Sequence, residues 1–298
     1  MGDLLEITTL GSLVLRNNGK LVTGFASRKA EALLVYLACT GRLQSREVLA
    51  DLLWDERTQA QALTNLRTVL TSLRQRLGPY LITDRQSIGL DLSSTYHLDV
   101  ITLDAGLLKA NDQRQKSGKL SLLEADQLEL TLALYRGDFL EGFSIHGSKG
   151  FEDWLLLERE RLRYQVINGL HYLVESYVEN GRFNSGIGQA TRMLQLDPLR
   201  EEAHQQLMLM LARTGQRSAA LTQYETCCRL LDEELGVSPS KETIALYEAI
   251  CSGSLTTETA TVDPTMPVLR NPYKGLQAFQ ETDTADFFGR GEDRKSVV

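Results

Sequence analysis

Most of this chain shows hydrophobic positions at helical spacing, and one stretch shows it most clearly. In TNLRTVLTSLRQRLGP and the residues just before it, leucines recur every three or four positions and share one face of a helix: Leu63, Leu66, Leu70, Leu73 and Leu77. Thr58 and Gln61 fit a capping box at the start. Gly78 followed by Pro79 predicts a left-handed exit at the end. The pattern therefore predicts a helix over residues 59–77.

The opposite face of this predicted helix is cationic and carries short polar side chains. Its members are Thr64, Arg67, Thr68, Thr71, Arg74 and Gln75. No Asp or Glu occurs between Glu56 and Asp84. Solvated arginines are one interpretation of this face, and a surface that meets an anionic partner is the other.

The flanking segments predict strands and two further helices. LEITTLGSLVLRNNGKLV alternates as two short strands with an Asn18-Gly19 turn. Apolar spacing predicts a helix from residues 27–29 to Gly41 and a short one capped by Ser45. Arg28 and Lys29, at the start of the first of these, could reach a phosphate, but we expect them to be plain solvated charges. After Pro79, residues 80–83 and 88–92 form a predicted hairpin around a polar turn. Strands, three helices and a hairpin, in this order, are typical of a winged helix, whose third helix enters the major groove.

These segments also carry a family resemblance. SRKAEALLVYLACTGRLQSREVLADLLWDE, continued by ALTNLRTVLTSLRQRLGPYLITDRQSIGLDL, resembles the DNA-binding half of the bacterial antibiotic-regulatory (SARP-type) activators, which is similar to the OmpR/PhoB-type winged helix. The resemblance covers residues 4–100 and implies that helix 59–77 is the recognition helix. Its DNA-binding candidates are Thr64, Arg67, Thr68, Thr71, Arg74 and Gln75, with Arg85 and Gln86 in the wing. Periodicity alone would also allow a two-heptad interaction helix.

From about residue 103 the pattern changes to one helix after another. Gly181 and Gly215 lie 34 residues apart, and pairs one period apart match as well: Leu173 with Leu207, Tyr177 with Leu211 and Gln189 with Gln223. This period, with glycine at the inner turn, is typical of tetratricopeptide (TPR) repeats, although an unrelated helical bundle is the alternative. The block from YRGDFLEGF to ELGVSPSKETIALYEAI also resembles the bacterial transcriptional activator domain.

The predicted fold is thus mainly α with a small β component. A winged helix over residues 1–100 precedes a TPR-like helical domain over residues 101–251. Residues 252–270 are rich in Thr, Ser and Pro and predict a linker.

The last segment carries a further resemblance. NPYKGLQAFQETDTADFFGRGEDR, within residues 271–298, resembles the lead-in to a STAND-type ATPase domain. No GxxxxGK[ST] loop follows in this sequence. We therefore expect that domain to be cut off here and this chain to bind no nucleotide; a disordered natural tail is the alternative.

Composition narrows the class of protein. Of 298 residues, 42% are hydrophobic and 24% charged, as in soluble globular proteins. The net charge of -7 is unevenly shared, because residues 1–97 carry eleven Lys/Arg and nine Asp/Glu and the remainder carries -9. The sequence shows neither a secretory signal nor an apolar run long enough to span a membrane, so we expect a cytoplasmic protein, and the family resemblance implies a bacterial one. Four cysteines lack metal or redox spacing, and no catalytic, metal or cofactor site is expected.

Together these features predict a DNA-binding transcriptional activator and not an enzyme. We expect it to bind double-stranded promoter repeats as a homodimer, with the helical repeats mediating self-association or contact with RNA polymerase. The alternative is a TPR-type signalling scaffold or adaptor of a STAND ATPase, with no specific DNA target.

Overall fold

The computed structural model describes residues 4–91 and 93–255, which form one compact unit. The strands are β1 (Leu5–Thr8), β2 (Val14–Asn17), β3 (Lys20–Leu21), β4 (Gln44–Ser45), β5 (Leu81–Thr83), β6 (Ser87–Leu90) and β7 (Tyr96–Leu98). The helices are α1 (Arg28–Thr40), α2 (Arg46–Trp54), α3 (Gln59–Leu77), α4 (Asp99–Ser117), α5 (Leu122–Leu132), α6 (Lys149–Glu179), α7 (Phe183–Leu196), α8 (Glu201–Arg213), α9 (Arg217–Leu235) and α10 (Lys241–Ser252). The prediction of a mainly α fold with a small β component is confirmed.

Two small sheets frame the N-terminal helices. The first has the order β3-β2-β1-β7, with β1 and β2 antiparallel and β7 parallel to β1. The segment before α1 holds three strands where two were predicted, since the Asn18-Gly19 turn joins β2 to β3. Both turn residues have positive φ, at 51° and 74°, which matches a primed hairpin turn. The second sheet has the order β4-β6-β5 and carries the predicted wing.

The third helix begins and ends where the apolar pattern predicts, but its exit differs. The Gln61 side chain accepts a hydrogen bond from the Thr58 amide at 3.4 Å, as a capping box requires. Gly78, however, is right-handed (φ -49°, ψ -43°) and starts a 3₁₀ turn over Gly78–Tyr80. The left-handed exit was therefore wrong. This turn carries the Tyr80 ring into the core, where the side chain is buried.

The helical domain follows the winged helix without an intervening loop, because β7 ends at Leu98 and α4 begins at Asp99. The buried Asp99 carboxylate accepts hydrogen bonds from the Thr9 amide and hydroxyl and from the Leu10 amide, at 2.8–2.9 Å. This carboxylate ties the first turn of α4 to the chain after β1. The predicted boundary between residues 100 and 101 falls inside that turn.

Helices α6 to α10 have the packing that the 34-residue period predicts. Neighbours in sequence are neighbours in space, with α6 against α7, α7 against α8 and α8 against α9. Gly181 and Gly215 turn the chain between paired helices with φ of +68° and +79°. At Gly186 a Cβ would lie 2.3 Å from the Met210 sulfur, so glycine permits α7 to approach α8 closely.

One hydrophobic core runs from β1 through α6 to the start of α8, and a second fills the later repeats. The winged helix and the first part of the helical domain thus share buried surface. No helix in the described ranges is both long and apolar enough to cross a membrane. The predicted linker and ATPase lead-in lie outside the described residues, apart from Ser252, which ends α10, and the next three positions.

Candidate nucleic-acid interface

Helix α3 separates a buried face from an exposed one. Leu66, Leu70, Leu73 and Leu77 are all buried, and Leu63 is half-buried at the edge. The six predicted DNA-binding residues of this helix are all exposed: Thr64, Arg67, Thr68, Thr71, Arg74 and Gln75. The helix therefore has the rotation that the apolar pattern predicts.

Three threonines on the exposed face already use their hydroxyl protons. Thr64 donates to the Ala60 carbonyl at 2.8 Å, Thr68 to Thr64 at 3.3 Å and Thr71 to Arg67 at 2.9 Å. Each hydroxyl oxygen retains lone pairs, and each side chain retains its methyl group. These threonines are therefore suited to accept hydrogen bonds or to pack against a thymine methyl.

The three arginines of α3 have different surroundings. The Arg67 guanidinium makes no hydrogen bond or ion pair within the described residues, so its five donors are free. Arg74 donates to the Thr83 hydroxyl in β5, which joins the helix to the wing. Arg76 donates to the Gly24 carbonyl at 2.5 Å and lies over the Phe25 ring. Arg76 thus holds the loop before α1, in keeping with its omission from the candidate site.

The wing turn is held in one shape by a carboxylate. Asp84 accepts from the Ser87 hydroxyl and amide, both at 2.6 Å, and from the Gln86 amide at 2.7 Å. The Ser87 hydroxyl, followed by the two amides, lowers the pKa of Asp84. Arg85 and Gln86 are exposed and lie between Asp84 and Ser87. The turn therefore holds both side chains at the surface without having to change its shape to contact a ligand.

Arg46 is a functional candidate that the sequence did not indicate. Its guanidinium donates twice to the Asp84 carbonyl, at 3.1 and 2.8 Å, and its amide donates to the Gln86 carbonyl at 2.9 Å. These bonds connect the start of α2 to the wing turn. The 38-residue separation between Arg46 and Asp84 gives no local pattern from which to infer them.

The basic pair at the start of α1 is not simply solvated. Arg28 is exposed, but its guanidinium lies 5.5 Å from the centre of the Phe143 ring in the helical domain. The Lys29 ammonium donates to the carbonyls of Leu53 at 2.6 Å and Gly147 at 3.0 Å. Burial lowers the pKa of Lys29. The prediction of plain solvated charge was wrong for Lys29, because carbonyls from both domains hold its ammonium group.

Comparisons with known proteins agree with this architecture. Residues 102–251 match the family model described as the bacterial transcriptional activator domain. The chain is 28% identical over 276 residues to the regulatory protein AfsR of Streptomyces coelicolor, covering 89% of this chain and 27% of AfsR. It is 27% identical over 256 residues to the regulatory protein DnrI of Streptomyces peucetius, covering 83% of this chain and 92% of DnrI. The chain thus spans only about a quarter of AfsR but most of DnrI.

A solved structure supports the fold. Mycobacterium tuberculosis EmbR, in complex with a low-affinity phosphopeptide, superposes with a TM-score of 0.62 at 21% identity. The match covers 84% of this chain and 66% of EmbR. Because the family model spans half of the sequence, the chain belongs to the bacterial transcriptional activator domain family, and it is similar to transcriptional regulators of the SARP type.

Proposed function

We propose that this regulator binds double-stranded promoter DNA through α3 and the wing and activates transcription there. The observation that carries the proposal is the exposed, acid-free face of α3 beside a preformed wing. Arg67 is unpaired on this face within the described residues, and Arg74 joins the face to the wing through Thr83. A guanidinium with free donors can fork onto a guanine edge or a phosphate.

Each element would have its own part in binding. Helix α3 enters the major groove, where Arg67 and Arg74 contact bases or phosphates and the threonines let the helix axis approach the base edges. Arg85 and Gln86 contact the backbone or the minor groove. Because one winged helix covers few base pairs, we propose that two chains bind repeats about 10–10.5 bp apart, centre to centre.

The helical repeats would supply the second contact of an activator. Stacked helix pairs of this kind present an extended surface that binds proteins. We propose that this surface mediates self-association on DNA or contact with RNA polymerase. The competing scaffold function needs the same repeats but predicts no preferred DNA sequence.

Selection of duplexes from a random-sequence library by the purified chain tests the proposal. We expect a repeated motif to be enriched, and its affinity to fall with salt at a slope of about -0.9 for each phosphate neutralised. Footprinting on the selected duplex should show two half-sites, and sedimentation should show two chains per duplex. Failure to enrich any sequence, with salt-independent binding, would favour the scaffold.

A further inference from the structure

The exposed face of α3 is bordered on two sides. On one side is the wing, which is joined to α3 by the hydrogen bond from Arg74 to the Thr83 hydroxyl. On the other side is a groove of about 490 Å³, lined by the start of α1, by Asn65 and Thr68 of α3 and by residues 144–146 of the helical domain. Thr68 belongs both to the candidate base-contacting face and to this groove. The groove is therefore continuous with the proposed DNA interface.

The residues from the helical domain belong to the loop between α5 and α6, which is firmly held. Leu140 donates its amide to the Thr9 carbonyl at 2.8 Å, and the Ser148 hydroxyl donates to the Leu53 carbonyl at 2.6 Å. Phe143 and Ile145 are buried. Ser144 and His146 alternate with them and are exposed. The loop thus presents a hydroxyl and an imidazole at fixed positions beside α3.

The charge of the groove suits an anion. Its lining side chains include Arg28 and Lys29 and no Asp or Glu. The carbonyl partners of the Lys29 ammonium hold it in place. Asp55 and Glu56 lie near enough to offset its charge, so Arg28 is the side chain that favours an anion here. The Arg28 guanidinium makes no hydrogen bond or ion pair within the described residues, and it lies 5.5 Å from the centre of the Phe143 ring. Its donors are therefore available to a ligand.

We infer that Arg28, Ser144 and His146 bind the sugar–phosphate backbone at the edge of the major groove opposite the wing. The inference rests on the proposed function. A guanidinium, a hydroxyl and an imidazole are ordinary phosphate ligands, and such contacts set the position of a protein on the duplex without reading its sequence. By this assignment the helical domain adds directly to DNA affinity, beyond any part in protein contacts.

Variants at the loop and at α1 test the inference on two probes, the duplex selected by the wild-type chain and a duplex of scrambled sequence. Ser144→Asp places a negative charge in the groove and should weaken binding to both probes by a similar factor. Arg28→Ala should also weaken both and should reduce the salt slope by about 0.9, the loss of one phosphate contact. Arg67→Ala, in contrast, should weaken binding to the selected duplex more than to the scrambled one.

Ser218→Asp is the matched control. Ser218 is exposed on α9, so this substitution adds the same charge at a position away from the groove. Circular dichroism and thermal unfolding should be unchanged for Ser144→Asp, since its side chain is exposed. The inference falls if Ser144→Asp and Arg28→Ala bind both probes like wild type while Arg67→Ala does not. It also falls if Ser144→Asp alters self-association of the free chain and leaves DNA affinity intact. Loss of the proposed function is a separate outcome, in which the wild-type chain selects no duplex.

Discussion

The two halves of the molecule differ in whether some of their arginine side chains are left free. In the winged helix, the side chains of Arg67 and Arg85 are exposed and make no hydrogen bond or ion pair within the described residues. In the helical domain, four arginines donate to main-chain carbonyls: Arg159, Arg163, Arg192 and Arg217. Arg67 and Arg85 thus remain free to contact a ligand. The four arginines of the helical domain are instead engaged by carbonyls, as Arg46 and Arg76 are in the winged helix.

The engaged arginines satisfy carbonyls near helix ends or in loops. The last carbonyls of a helix have no partner within it. Arg192 of α7 donates to the Leu132 carbonyl, where α5 ends, at 2.9 Å and to the Tyr135 carbonyl at 2.5 Å. Arg217 of α9 donates to the Ile250 and Cys251 carbonyls at the end of α10. A guanidinium from one helix therefore caps another helix and fixes how the two pack. Because such arginines serve the fold, a count of basic residues alone does not locate a DNA-binding surface.

The largest effect should come from the leucines beneath the free arginines. Leu66→Ala removes a buried side chain from the core of the winged helix and should lower the free energy of unfolding by about 2–5 kcal/mol. Leu63→Ala, on the half-buried edge of the same helix, should cost less. Chemical denaturation measures both. Equal and small losses would mean that α3 is rotated from the position described.

The next effect tests the arginines of the helical domain. Arg192→Ala leaves two carbonyls without their charged donor and should lower the free energy of unfolding by about 1–3 kcal/mol. Arg229→Ala is the control, because its ion pair with Glu233 is exposed and such pairs contribute no more than about 1 kcal/mol. Urea unfolding of the two variants compares them. A loss no larger for Arg192 than for Arg229 would remove the capping role.

Within α3 itself, two arginines should separate binding from stability. Arg67→Ala should weaken binding to the selected duplex by about 1–3 kcal/mol if Arg67 contacts a base. It should change the free energy of unfolding by no more than about 0.5 kcal/mol, because the side chain is exposed. Fluorescence anisotropy and thermal unfolding measure the two quantities.

Arg76→Ala is the matched control on the same helix. It loses the bond to Gly24 and the contact with Phe25, so it should destabilise the fold more than it weakens DNA binding. Identical behaviour of the two variants would erase the distinction between free and engaged arginines.

The smallest effect is a pH dependence in the repeats. The buried His204 donates from Nε2 to the Pro198 carbonyl at 2.9 Å and pairs through Nδ1 with Gln223. Burial lowers its pKa below the ordinary value of 6.5. The unfolded chain therefore binds a proton first as the pH falls, and the free energy of unfolding should decrease below pH 6.5. The slope for one proton is at most about 1.4 kcal/mol per pH unit.

His204→Gln should flatten this decrease, whereas His97→Gln, at an exposed position, should leave it as in wild type. Denaturant titrations at a series of pH values give the slopes. An unchanged slope in His204→Gln would assign the proton uptake to another group.

Local patterns predicted the elements of the site, and long-range contacts explain the errors. The bounds of α3 follow from residues within one turn of each end, such as Thr58 and Gln61. The exit at Gly78 depends on where the Tyr80 ring is buried, which the local sequence does not encode. Lys29 was misjudged for the same reason, since one of its partners, Gly147, lies 118 residues away. That the eight candidate residues contact DNA stays a prediction.

The direct passage from Leu98 in β7 to Asp99 in α4 has a consequence for the operator. No residue lies between strand and helix, and Asp99 is hydrogen-bonded to Thr9 and Leu10. The winged helix therefore has no linker that would let it rotate relative to the helical domain. If two helical domains associate, the distance and the rotational phase between their recognition helices are then set by the protein. Inserting half a turn of DNA between the two half-sites would move the second half-site to the opposite face of the duplex. The recognition helix of the second chain could not reach it there.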